Sequence, residues 1–342
     1  MPEAQRTSRT RSRMTRRDFL KLGGGLAAGA GFAGAAGWWR QNEHGLRAAV
    51  FIARAAHYQA DLVSPIIEGL SASGVSRASI RGKRVLLKPN LVETAVGHAQ
   101  INTHPALVVA AAEAFRRLDA REVFVAEGQG HRRDSELVLE ESGMERALDD
   151  ARLDFIDLNH DAVGSVANLG SWTQHKQLFL PRTLLSADLV VSMPKLKTHH
   201  WVGVTCSMKN LFGVMPGIVY GWPKNVLHYA GIENSILDIN QTVKPDLAIV
   251  DGIVGMEGDG PIMGSAKPVG VIVVGCNLPA VDATCTRIMG LNPYGVHYLS
   301  GASGRLGPIH AQHIEQRGAS IASVAQRFAI LDVPHLAGVR SG

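Results

Sequence analysis

The stretch from Asp188 to Gly217 gathers the side chains with the most chemistry in this chain. Lys195, Lys197, Thr198, His199 and His200 fall within six residues, and Lys209 and Asn210 follow. Leu189-Val190-Val191, just upstream, reads as a buried strand, so the cations and imidazoles stand where a strand runs out. Open α/β sheets present ligand-binding side chains at such places. Lys88-Pro89-Asn90 follows a second apolar run, Val85–Leu87, and WPKNVLH at 222–228 supplies Lys224 and His228. Clustered lysines suit a phosphate or carboxylate ligand, because a lysine taken out of water needs an anionic partner. Lys195, Lys197, Lys209 and His199 are the candidate catalytic groups. Lys88, Asn90, Asn210, Lys224 and His228 are the candidate ligand contacts. The expectation is that Lys88, Lys195, Lys197 and Lys209 point into one cleft.

A second constellation follows another strand. Asp251, Glu257 and Asp259 sit on a segment with glycines at 252, 255, 258 and 260. Carboxylates at two-residue spacing can face one hard cation, and glycines let backbone carbonyls approach it. The three are expected to form a divalent metal site facing the lysines, with the ion's identity open. Direct pairing of the carboxylates with lysines is the alternative. The EF-hand spacing is absent, as are G-x-x-x-x-G-K-[ST], a strand-following G-x-G-x-x-G, the zincin His pair and G-x-S-x-G. Adjacent His199 and His200 on a strand would face opposite ways, so one of them at most is expected at a shared ligand. Asp282, early in a helix, is expected to cap or pair rather than react.

The elements that must position these groups alternate. Val50–Ala53, Val85–Leu87, Glu122–Ala126, Phe155–Leu158, Leu247–Val250 and Val269–Val274 read as short apolar strands. Between them lie a helical stripe (Tyr58, Leu62, Ile66, Leu70), a helix capped by Thr103 with Pro105 in its first turn, and one beginning at Asp134. Further helices cover Ile232–Val243 and Leu278–Met289. This pattern predicts an α/β fold, a mostly parallel sheet with helices on both faces and the ligand site at the carboxyl edge of the strands. The glycine-rich stretch 160–175 is expected to carry a small insertion.

The N-terminus has a different character. TRRDFLK at 15–21, with Arg16 and Arg17 as the pair, matches the twin-arginine export pattern, and the glycine- and alanine-rich run Leu22–Trp39 follows. Residues 1–36 are therefore expected to be a twin-arginine signal peptide, read by the twin-arginine translocase. The protein would be periplasmic or extracytoplasmic, and membrane-anchored if the leader is retained. Residues 45–325 are expected to form the α/β domain and 326–342 a C-terminal tail. Residues 1–35 hold seven basic and two acidic side chains; removing them from 35 and 30 leaves 28 of each. A neutral mature chain gives no footprint for nucleic acid.

PKLKTHHWVGVTCSMKNLFGVMPG resembles the signature of the domain of unknown function 362 family. So do VLLKPNLV at 85–92, YGWPKNVLH at 220–228 and VDGIVGMEGDGPIMG at 250–264. The resemblance spans roughly residues 47 to 320. It implies no settled activity, although many relatives look like iron–sulfur proteins. The chain departs from them: Cys206, Cys276 and Cys285 form no C-x-x-C, so no iron–sulfur cluster is expected here. SMKNLFGVMPG also resembles a loop of nickel-dependent lactate racemases, over a stretch too short to carry a reading. The expectation is an exported enzyme binding a small anionic substrate with a divalent metal in a lysine- and carboxylate-lined cleft. The alternative is a non-catalytic metal- or cofactor-binding or assembly protein, linked to redox cofactors as in iron–sulfur relatives.

Overall fold

Side chains alternate strictly along the strands, and both sets are buried. Leu86, Phe124, Val190, Val250 and Val273 belong to one apolar core, while Val85, Leu87, Val123, Val125, Val191, Ile249 and Ile272 belong to another. Two cores on alternate residues mean a sheet covered on both faces. In this computed structural model, residues 46–94, 96–130 and 134–340 are described. The proposed leader, residues 1–36, lies outside the described residues.

The strands are β1 (Ala48–Arg54), β2 (Arg84–Pro89), β3 (Glu122–Glu127), β4 (Phe155–Asp157), β5 (Val163–Ala167) and β6 (Gln177–Pro181). They continue with β7 (Leu189–Met193), β8 (Lys195–His199), β9 (Gly203–Thr205), β10 (Leu247–Glu257), β11 (Ser265–Gly275) and β12 (Ile314–Gly318). The main sheet runs β12-β1-β11-β10-β7-β2-β3-β4, with β8 paired to β10 and β9 to β8. From β10 to β4 every pairing is parallel. The most continuous apolar run, β11, is antiparallel to both its neighbours, β1 and β10. The sheet is therefore mostly parallel with an antiparallel insertion.

Helices Val63–Ala72 and Pro105–Arg117 bury Ile66, Leu70, Leu107 and Phe115 against one face. Helices Ile232–Val243 and Leu278–Ile288 bury Ile236, Ile239, Leu278 and Val281 against the other. Each such side chain contributes about 1.5–3 kcal/mol on burial. The Pro105 helix is capped by His104, whose Nδ1 accepts from Ala106 N, and not by Thr103. Thr103 is occupied elsewhere: its hydroxyl accepts from Asn90 N and donates to Met193 O. Asp134 caps its helix as the sequence predicts. The stretch 160–175 contributes to the separate β5–β6 hairpin. The segment expected as a tail from 326 is packed down, with Phe328, Leu336 and Val339 buried in the core. A boundary at 325 therefore has no counterpart in the packing.

Candidate functional site

Parallel strands β2 and β3 end side by side, and their last residues open a cavity of about 180 Å³. Lys88 and Asn90 come from the end of β2, and Glu127 and Gly128 from the end of β3. Lys197 and His199 come from β8, and Thr205 from β9. Lys209 and Asn210 come from the short helix Ser207–Asn210, while Lys224 and His228 come from the loop and helix that follow. Of the sequence candidates, Lys88, Asn90, Lys197, His199, Lys209, Asn210, Lys224 and His228 all line this one cavity. His200 lines it too, against the strand-alternation expectation. The reason is local: β8 stops at His199, and His200 already belongs to the turn.

Lys195 does not line the cavity. Its Nζ donates to Asp251 Oδ2 at 2.6 Å and to the Tyr58 hydroxyl at 2.9 Å, all beside the stacked rings of Tyr58 and His104. Tyr58 in turn donates to Asp251 Oδ1, and His104 N donates to Oδ2. The cause is a register shift. Asp251 pairs with Lys195 and Met256 with Lys197, so four residues of β10 bulge out between partners two residues apart on β8. One cleft for all four lysines is thus corrected to a cavity with Lys88, Lys197, Lys209 and Lys224, beside a closed Lys195–Asp251–Tyr58 network.

The expected metal triad does not assemble either. Asp251 is committed to Lys195 and Tyr58, and Glu257 to Lys267 at 3.1 Å and to Ala329 N. Asp259 lies 3.5 Å from His200 Nδ1. Glu257 and Asp259 fail to converge because β10 runs on through Glu257 and the chain turns at Gly258, φ +84°. Among the described residues no group of three His, Cys, Asp or Glu side chains could hold a metal ion. The three carboxylates do not fit a divalent ion.

Electrostatically, the cavity is lopsided. Among the described residues, its wall holds four lysines and one carboxylate, Glu127. Lys88 takes that carboxylate at 2.5 Å and also donates to Pro89 O and Asn210 Oδ1. Among the described residues, Lys197 donates to two carbonyls, Ile101 O at 2.8 Å and Pro261 O at 3.1 Å. Lys224 donates to Asn159 Oδ1 and to Met215 O. Burial, with the nearby charge of Lys209, pulls the Lys197 pKa well below its ordinary value. Burial lowers Lys224 to about 7, and burial with the charge of Lys88 lowers Lys209 to about 8. Asn90 Oδ1 and Thr205 Oγ1, both in the wall, are buried without a hydrogen-bond partner among the described residues.

Buried His199 and half-buried His228 are tied through Nδ1 in opposite senses. Trp201 N donates to His199 Nδ1 at 3.1 Å, so a neutral His199 carries its proton on Nε2. His228 Nδ1 faces the Lys224 carbonyl at 3.0 Å, which can only accept, so a neutral His228 carries its proton on Nδ1. Burial first, then the charge of Lys209, keeps His199 neutral by lowering its pKa well below 6.5. His199 therefore has an Nε2 proton to donate.

Asp282 does what the sequence assigns it. Its carboxylate accepts from Ser207 N, Met208 N and the Ser207 hydroxyl, capping the short helix that carries Lys209. Glu127 and Thr205 are the site residues that sequence reasoning missed. Glu127 carried a usable signal, since it directly follows an apolar strand run, as Lys88 does. Gly213 shows how tight this corner is: a Cβ there would fall 1.9 Å from Glu127 Oε1 and 2.5 Å from Lys88 Nζ.

Fold and site together define an α/β protein with a cationic, partly apolar cavity at the carboxyl ends of its parallel strands. The chain belongs to the family described as Domain of unknown function (DUF362), which matches residues 85–287. A curated relative is the thylakoid-associated protein sll1697 of Synechocystis. It is 29% identical over 231 residues, which cover 66% of this chain and 68% of that protein. Among solved structures, the lactate racemase apoprotein of Thermoanaerobacterium thermosaccharolyticum aligns with a TM-score of 0.44 at 13% identity. That alignment covers 73% of this chain and 58% of the racemase, so the chain spans less than two thirds of the racemase's length. No helix among the described residues is long and apolar enough to cross a membrane.

Proposed function

We propose that this protein is an exported enzyme that binds a small phosphate- or carboxylate-bearing substrate in the lysine cavity. The observation that carries the reading is the charge imbalance: four buried or half-buried lysines share one carboxylate, which Lys88 already holds. Uncompensated ammonium groups in low dielectric are costly, and an anion from solution supplies the missing charge. Lys197 and Lys224 hold the anionic group, and Lys88 with Glu127 forms the cavity floor. Asn90 and Thr205 offer hydrogen-bonding atoms to the rest of the substrate. His199 donates a proton or hydrogen bond, and His228 lines the wall beside it. No resident metal enters this reading, because Asp251, Glu257 and Asp259 serve other partners.

Inorganic phosphate or sulfate tests the site directly. A ligand that binds only the folded state stabilises it by about 2.7 kcal/mol at a hundred times its Kd, so the melting temperature should climb with phosphate concentration. No rise beyond that given by matched chloride would remove the anion site. A non-catalytic carrier would show the same rise but would release a co-purified organic ligand on denaturation.

The export half of the reading rests on Arg16-Arg17 before Phe19-Leu20 and on a relative named for its association with thylakoids. Changing both arginines to lysine should leave folded protein in the cytoplasm. Unchanged periplasmic accumulation of that variant would refute export by this route.

A further inference from the structure

Three of the four cavity amines are tied down by protein oxygens, and one is not. Lys88 has Glu127, Pro89 O and Asn210, Lys197 has two carbonyls, and Lys224 has Asn159 and Met215 O. Lys209 Nζ has no hydrogen-bond acceptor among the described residues; it lies over the Phe212 ring, 5.7 Å from the centroid. It is also the only one of the four cavity lysines that is not fully buried. Lys88, Lys197 and Lys224 are at most 1% exposed, whereas Lys209 is half-buried at the cavity wall. An amine that is reachable, set on an aromatic face and surrounded by like charges is in the setting that turns a lysine from counter-ion into nucleophile.

We propose that Lys209 is a carbonyl-reactive amine that forms a Schiff base with an anionic aldehyde or ketone, an oxo acid or oxo phosphate, whose anionic group is held by Lys197 and Lys224. This rests on the anion-binding reading and narrows its substrate class. The lone pair of Nζ attacks the carbonyl carbon, and a C–N bond forms as the C=O π pair moves onto oxygen. The oxygen takes up a proton, giving a carbinolamine. The C–O bond then breaks, the oxygen leaves as water with the nitrogen's proton, and the C=N double bond remains. His199, with its proton on Nε2, is placed in the same wall to hydrogen-bond the departing oxygen. No oxidant, reductant or metal is needed for this step. Burial favours the neutral amine that begins it, and the nearby charge of Lys88 adds to that effect, which agrees with a Lys209 pKa of about 8.

The test uses the full folded chain, with glyoxylate as the probe and cyanoborohydride to trap the imine as a carboxymethyl-lysine. Peptide mass mapping against time should show Lys209 modified at least tenfold faster than the exposed Lys176 and Lys244, with inorganic phosphate slowing Lys209 alone. Lys209→Arg should abolish this fast modification while keeping the phosphate-induced rise in melting temperature. Modification of Lys209 no faster than Lys176, or fast modification at Lys197 or Lys224 instead, overturns the assignment. If phosphate still stabilises the protein in that case, the anion site stands without the covalent step. If phosphate has no effect either, both readings fall together.

Discussion

Lys195 and Lys197 are two residues apart on one five-residue strand, and both are completely buried. Lys195 sits in a closed network in which Asp251, Tyr58 and His104 satisfy each other. Lys197 has two carbonyls and faces three other lysines across a cavity. Burial is the same in both places; compensation differs. A buried cation with a carboxylate is compensated inside the protein and is costly to orphan, whereas in the proposed function one without a carboxylate takes its counter-charge from a ligand.

The sharpest way to break this comparison is to uncompensate the closed side. Asp251→Asn leaves Lys195 buried without its carboxylate, and the expected loss is about 3–5 kcal/mol in denaturant unfolding. A loss below about 1 kcal/mol would mean that Lys195 is already neutral and the two lysines are not different after all. On the open side, Lys197→Met should leave anion-free stability unchanged or raised, because it removes a charge without orphaning another. It should also erase most of the phosphate stabilisation, about 2.7 kcal/mol at a hundred times Kd. A Lys197→Met protein as destabilised as Asp251→Asn would make Lys197 a structural group.

The smallest effect is on pH. Lys224 and Lys209 titrate near 7 and 8 in the folded protein, below the ordinary lysine value of 10.5. The unfolded chain then binds more protons than the folded one above pH 7, so stability should rise with pH. The penalty is fully present below about pH 7 and is relieved toward pH 10, by roughly 1–2 kcal/mol after solvent relaxation. Saturating phosphate should flatten that rise, since a bound anion restores the lysines' protons. A stability that falls steadily from pH 7 to 9 in phosphate-free buffer would contradict an uncompensated cavity.

The strand order along the sheet was not legible in the sequence; seven of the strands were, whereas β5, β6, β8, β9 and β12 lack a long apolar run and were not. Val85–Leu87 and Leu189–Val191 announce themselves as short apolar runs, and their proximity to lysines marks the cavity. The antiparallel direction of β11 was hidden, because a strand buried on both faces reads alike in either direction. Spacing brought Lys195 into the cleft on paper, and only the β10 bulge, with no motif of its own, takes it out. The acidic segment misled for a related reason. Two-residue spacing puts Glu257 and Asp259 on one face only while the strand continues, and the chain turns at Gly258 between them. Glu127 has the same signal as Lys88, a charged residue directly after an apolar run, but a single carboxylate there names no role until its lysine is known.

The family match begins at Val85 and ends at Arg287, and one consequence concerns what that span could do alone. Outside it lie β1 and the helix Val63–Ala72, which cover the far side of β11. Val50 to Arg54 pair with Val271 to Gly275, and Gly69 packs against Val274. A fragment cut to the matched residues would keep every lysine of the cavity yet leave one border of β11 with its amides and carbonyls unpaired. Such a border is a template for another chain, so the fragment should fail first by sticking to its own copies, before the cavity is lost.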